Sequence, residues 1–190
     1  MKLQTHILLA KQPTNLIDYH SKILLLGSCF VENIGEKLSY FKFQHLQNPF
    51  GIIFNPVSLA RIIERSLKQQ YYKENDIFFH NDLWHCFEVH SELSHPNKEA
   101  FLNYLNELLD STNKQLHDST HIILTLGTAW VYRFVETHSI VANCHKVPQK
   151  QFTKELLSVY DITKSLETII NLIKSVNSKA TFIFTVSPVR

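Results

Sequence analysis

Residues 22–35 read KILLLGSCFVENIG. Ile23 to Leu26 form an unbroken apolar run with no polar residue alternating through it. A run this short and uniform marks a strand covered on both faces, which is the habit of a parallel sheet. It halts at Gly27-Ser28-Cys29, after which Val31, Ile34, Leu38 and Phe41 fall on one face of a helix. A buried strand that passes through three small residues into a helix confines the chain to α/β architectures.

The same grammar recurs downstream. Ile122–Leu126 and Thr181–Val186 are further apolar runs, rich in β-branched or aromatic residues and ended by turn formers. Amphipathic helices lie between them. In NPVSLARIIERSL, Asn55 is the N-cap and Pro56 the first helical residue, and Leu59, Ile62, Ile63 and Leu67 form the buried stripe. NKEAFLNYLNELLDSTNKQL is the longest helix and turns Phe101, Leu105, Leu108 and Leu109 inward. DITKSLETIINLIKSV starts at a capping Asp161 and buries Leu166, Ile169, Ile170 and Ile173. Two stretches are less regular. Asp76 to His90 is a hairpin, with His80-Asn81-Asp82 as its turn, or an irregular insertion. TAWVYRFVETHSIVANCHKVP reads as a strand, a turn near Thr137–Ser139, and a second short strand or loop. With no repeat, low-complexity tract or linker, residues 1–190 are expected to form a single α/β domain with a mainly parallel sheet covered on both faces. The chain closes on FIFTVSPVR, where a buried strand delivers a Ser187-Pro188 turn at its carboxyl end. Ligands of open α/β sheets bind there, and no helix follows, so the domain is expected to be incomplete at its C-terminus.

Composition narrows the function. Lys and Arg number 19 against 17 Asp and Glu, leaving no field to recruit nucleic acid or an acidic membrane surface. No stretch approaches the roughly 18 apolar residues of a membrane helix, and the N-terminus lacks the apolar core of a signal peptide. Cys29, Cys86 and Cys144 are odd in number and far apart, as expected of free thiols in a cytoplasmic protein. WHCFEVH offers His85, Cys86 and His90 as zinc-type ligands, but the partner spacing of a structural site is missing, and on a strand the two histidines face opposite ways. No metal and no cofactor are expected. His85, between Trp84 and Phe87, is either a pocket-lining residue or a buried core histidine.

The Gly-Ser-Cys joint has two readings. The unpaired N–H groups and dipole of a helix's first turn favour negative charge, and so favour a thiolate or the oxyanion of a tetrahedral intermediate. A plain tight turn needs the same small residues. On these residues alone both stay open.

Five blocks carry a resemblance. GSCFVENIG at 27–35, NPFGIIFNP at 48–56, TLGTAWVY at 125–132, NCHKVPQKQF at 143–152 and TVSPVR at 185–190 resemble, in order, the blocks of the GSCFA family, bacterial proteins similar to SGNH (GDSL-type) esterases and acyltransferases. The resemblance implies a three-layer α/β/α sandwich with its site along the carboxyl ends of the strands. The nucleophile is Cys29 if the block is aligned without a gap to Gly-Asp-Ser, or Ser28 if it is aligned by chemistry. Asn48 and the Gly51 N–H either donate to an oxyanion or build the turn before the Asn55-capped helix. Gly127-Thr128-Ala129 departs from the Gly-x-Asn of related esterases, since Ala129 stands where the oxyanion-donating Asn would be, and Thr128 or the Trp130 region would have to compensate. His145, beside Asn143 and Lys146, binds substrate, acts as base, or is a surface residue with no role. Asp-x-x-His occurs in these 190 residues only upstream of the Ser187-Pro188 turn, at Asp82–His85 and Asp118–His121. In the family such a block follows the Ser-Pro-Val-Arg turn, so the chain resembles the N-terminal portion of a family member. The expected function is ester hydrolysis or acyl transfer on a small-molecule or glycan ester, with little turnover by this chain alone. The alternative is a non-catalytic acyl- or carbohydrate-binding domain.

Overall fold

The computed structural model describes residues 11–186. Strand β1 (Lys22–Gly27) leads into helix α1 (Cys29–Tyr40), and β2 (Gln44–Gln47) and α2 (Pro56–Leu67) follow. A hairpin of β3 (Phe78–His80) and β4 (Leu83–His85) precedes α3 (Lys98–Asp118) and β5 (His121–Leu126). Then come β6 (Trp130–Phe134), β7 (Ile140–Val141), β8 (Phe152–Leu156), α4 (Val159–Val176) and β9 (Thr181–Val186).

The main sheet has the order β2-β1-β5-β9, and every neighbouring pair is parallel. Ile23, Leu24 and Leu25 are fully buried, so β1 is covered on both faces. Leu24, Leu26, Ile122 and Leu124 pack on one face with residues of α2, α3 and α4. Ile23 and Leu25 pack on the other with Val31, Ile34 and Leu38 of α1. This is the α/β/α layering expected of an uninterrupted Ile-Leu-Leu-Leu strand. A second sheet, β7-β6-β8, is antiparallel throughout. The β3–β4 hairpin turns through Asn81 and Asp82, both at positive φ, as a two-residue turn matched to strand twist requires. Among the described residues no helix is long and apolar enough to cross a membrane.

Details of the expected helices need correction. Asp161 does not cap α4. Ser158 does, with its hydroxyl accepting from the Asp161 N–H while the Asp161 carboxylate accepts from the Ser158 N–H. A hydroxyl three residues before a carboxylate closes both bonds of a capping box, which draws the helix start back to Val159. Leu166 and Ile170 are half-buried. Phe41 is not on the inner face of α1, for it lies past the helix end and is exposed. β2 and β8 carry no apolar signal, being largely polar sequences whose backbone pairing defines them.

Gly27 ends β1 at φ 136°, where an L side chain is strained, and a Cβ added there would lie 2.1 Å from the Thr125 carbonyl oxygen. That atom is backbone of the neighbouring strand and has no room to retreat. Gly27→Ala is therefore expected to lower stability by at least about 3 kcal/mol, read as a fall in the urea midpoint with unchanged slope or as failure to fold.

Candidate functional site

Ser28 is the N-cap of α1 and is buried. Its N–H donates to the Thr125 carbonyl of β5 at 3.0 Å, and its own carbonyl accepts from the Val31 N–H at 2.9 Å. Its hydroxyl makes no capping bond. The other α-helices are capped: Asn55 accepts from Ser58, Asn97 from Ala100 and Ser158 from Asp161. Two things follow. The Ser28 hydroxyl is not tied to its helix, and the first-turn N–H groups of Cys29 and Phe30 have no hydrogen-bond acceptor among the described residues. Cys29, the first helical residue, is exposed. The other thiols are withdrawn. Burial pushes Cys86 up to about 12 and raises Cys144.

Gly127 lies against Ser28. A Cβ on Gly127 would sit 3.2 Å from the Ser28 Cβ and 2.6 Å from Phe54 Cδ1. The glycine lets the chain leaving β5 cross directly over the serine. Its N–H and that of Thr128 both turn to the Phe54 carbonyl, at 3.1 and 3.4 Å, and the Thr128 hydroxyl accepts from the Trp130 N–H at 3.0 Å.

Asn48 and Gly51 brace the joint from the other side. The Asn48 Oδ1 accepts the buried Gly27 N–H at 2.8 Å, its own N–H donates to the Leu25 carbonyl at 2.9 Å, and its Nδ2 donates to Glu32 in the first turn of α1. The Gly51 N–H donates to the Asn48 carbonyl at 2.7 Å. The Asn48 side chain and the Gly51 and Gly127 N–H groups are thus engaged within the protein. Glu32, whose carboxylate also takes the Gln47 amide at 3.0 Å, was not anticipated.

His145 and His85 form a separate buried unit, with ring centroids 4.8 Å apart, packed with Phe78 and Phe87. His145 is a core residue, which corrects the surface alternative: it is 3% exposed, with Nε2 2.7 Å from the Cys86 carbonyl. A carbonyl only accepts, so Nε2 carries the proton. Asn143 holds the loop by accepting the His145 N–H at 2.8 Å. His85 is likewise buried, bonded through its ring nitrogens to the Ser94 hydroxyl and the His80 carbonyl. Neither ring is hydrogen-bonded to Ser28 or Cys29. Among the described residues no three His, Cys, Asp or Glu side chains converge as a metal set. Ser187 lies outside the described residues.

Two clefts meet at Thr128. One, about 310 Å³, is apolar and runs from Gly127 past Leu126 and Ala129 to Pro56, Ile162 and Val186. The other, about 260 Å³, lies among Phe54, Trp130, Tyr132, Asn143 and Lys154. A larger cleft of about 410 Å³ beside Phe78, Phe87 and Phe134 contains none of the joint residues.

Residues 22–190 match the model of the GSCFA family. No curated protein and no solved structure shows a significant match.

Two outcomes follow from this geometry. Asn48→Ala would leave the buried Gly27 N–H without its acceptor and is expected to cost about 2 kcal/mol in urea unfolding. Burial lowers His145 from 6.5 to about 4. Between those values the unfolded chain binds the proton and the folded one does not, so this residue makes stability fall as pH drops from about 6.5 to about 4. The loss is up to about 3 kcal/mol. His85, also lowered by burial, acts in the same sense. Urea midpoints at pH 7 and 4.5 should converge in His145→Gln relative to the native sequence.

Proposed function

The chain belongs to the GSCFA family, and on that footing we propose that it is an SGNH-type ester hydrolase or acyltransferase whose nucleophile is Ser28. One observation carries the reading: Ser28 occupies an N-cap and does not cap. A capping hydroxyl is ordinarily engaged with its helix's own N–H groups. Here the hydroxyl oxygen and the Cys29 and Phe30 N–H groups stand together at the positive end of α1, at the carboxyl end of a central strand.

The chemistry follows from that arrangement. The Ser28 Oγ adds to the ester carbonyl carbon as its proton passes to a base. The carbonyl oxygen, now negative, accepts from the Cys29 and Phe30 N–H groups and is favoured by the helix dipole. Collapse expels the alcohol, which takes the proton back from the base, and leaves an acyl-serine. Water or a second alcohol, deprotonated by the same base, then removes the acyl group. Donors next to the nucleophile in its own helix replace the absent Gly-x-Asn asparagine. In this reading neither His85 nor His145 is the base, both being buried and neither hydrogen-bonded to Ser28 or Cys29. The resemblance assigns it to the Asp-x-x-His block that follows the Ser-Pro-Val-Arg turn in the family, and turnover requires that block.

A second reading has an observation in its favour. The Gly51 and Gly127 N–H groups are engaged and Ala129 replaces the asparagine, as suits a domain that binds acyl or glycosyl groups without turnover.

A fluorophosphonate separates the two. With hydroxide standing in for the base, labelling of residues 1–190 at Ser28 is expected to be slow at pH 7 and to rise between pH 7 and pH 9, as mapped by peptide mass spectrometry. Ser28→Ala should abolish it and Cys29→Ala should not. Labelling confined to Cys29 by iodoacetamide would transfer the role to the thiol. Silence at both positions would leave the binding reading.

A further inference from the structure

We propose that the cleft between β6 and the Ala142–Cys144 segment is a subsite for an anionic monosaccharide unit, the alcohol half of the ester; as a substrate assignment this rests on Ser28 being the nucleophile, while the binding itself does not. Position is the first argument. Phe54 lines this cleft and also presses against Gly127, which in turn lies against Ser28. Thr128 is shared with the apolar cleft. An ester whose carbonyl sits at Ser28 therefore has an apolar space on one side and this second space on the other.

The two spaces differ in chemistry. Among the described residues Thr128 supplies the only polar side chain of the apolar cleft, which suits an acyl chain. The second cleft is walled by Phe54, Trp130 and Tyr132 and carries the amide of Asn143 and the ammonium of Lys154, with no carboxylate lining it among the described residues. At about 260 Å³ it is smaller than the roughly 300–1,000 Å³ of drug-sized ligand sites, and so fits one small ring. Aromatic walls with amide and hydroxyl groups between them match a hydroxylated ring, which has apolar faces and a polar rim.

Lys154 specifies the charge. Paired with Tyr132 across β6 and β8, it holds its Nζ 4.7 Å from the centre of the Trp130 ring. The aromatic face positions the ammonium without neutralising it. Among the described residues Lys154 has no ion-pair partner, whereas Arg133, the next residue along β6, is paired with Glu155 and Arg65 with Glu88. A carboxylate or a phosphate on the ring satisfies this ammonium equally well, and the test separates them.

The test is binding, followed through the Trp130 indole N–H resonance in ¹H–¹⁵N spectra and assigned by its loss in Trp130→Phe. Glucuronate, glucose 6-phosphate and glucose are titrated separately. The expected result is a saturable shift with one or both anionic sugars, at least tenfold weaker with glucose and weakened by 0.5 M NaCl. Preference between the two anions identifies the group. Lys154→Gln should weaken the anionic sugar at least tenfold and leave glucose unchanged. Equal binding of glucose and the anions, no effect of Lys154→Gln, or no saturable shift with any sugar would overturn the proposal. Ser28→Ala should bind as the native chain does, so a failed nucleophile assignment and a failed subsite give different results.

Discussion

The structure hangs on how the backbone leaves the central strand at Gly27. Three hydrogen bonds converge there: the Gly27 N–H reaches the Asn48 side chain, its carbonyl takes the Ile53 N–H, and the next N–H, from Ser28, reaches Thr125. The partners come from two distant parts of the chain, residues 48–53 and β5, so the joint fixes the NPFG turn and the end of β5 at once. With no Cβ at Gly27 the neighbouring strand can approach to backbone contact. Glu32 then ties the first turn of α1 back to Asn48, placing negative charge where the helix dipole favours it. The position of Ser28 is in this way set entirely by backbone and buried amide bonds, leaving its hydroxyl out of the scaffold.

How much of this was legible depended on whether the signal was local. Ile23–Leu26 announced a strand because burial on both faces leaves no polar residue in the run, and Asn55-Pro56 announced a helix start because cap and first turn are adjacent in sequence. β2 was silent for the opposite reason: Gln44–Gln47 is a strand by virtue of pairing with β1, and its own side chains say nothing of it. Asn48 shows the sharper limit. An asparagine in a turn near a catalytic joint is equally suited to a substrate and to its own backbone, and only the positive φ and the approach of Gly27 decide. The silence of Ser28 as a cap was not readable from its neighbours, because Asn97 caps its helix with Ala100 at N3, a residue as unable to return the bond as Val31. Asp161 illustrates the converse, a residue recognised correctly as part of a cap and assigned the wrong end of it.

The histidines divide differently from what their motifs implied. NCHK and WHCFEVH belong to blocks distant in sequence, and the fold brings His145 and His85 together to join the hairpin to the loop after β7. Their work is cohesion, in a setting that keeps them uncharged near neutrality. The polar groups facing the clefts are instead Thr128, Asn143 and Lys154, residues that a search for acid–base chemistry passes over.

The small sheet has a mechanical consequence. It joins the main fold through short spans, Gly127–Ala129 before β6 and Leu157–Ser158 after β8, and the Leu157 N–H closes on the Ala129 carbonyl at 2.9 Å, bolting the two spans side by side. Arg61 grips the far edge through the Ile140 carbonyl. A wall bolted along one line, gripped at its far edge and tied through the Ala142 N–H to the Phe87 carbonyl at 2.8 Å is held to the main fold at separate points. The two clefts that share Thr128 are thereby set against each other by backbone bonds outside their own linings.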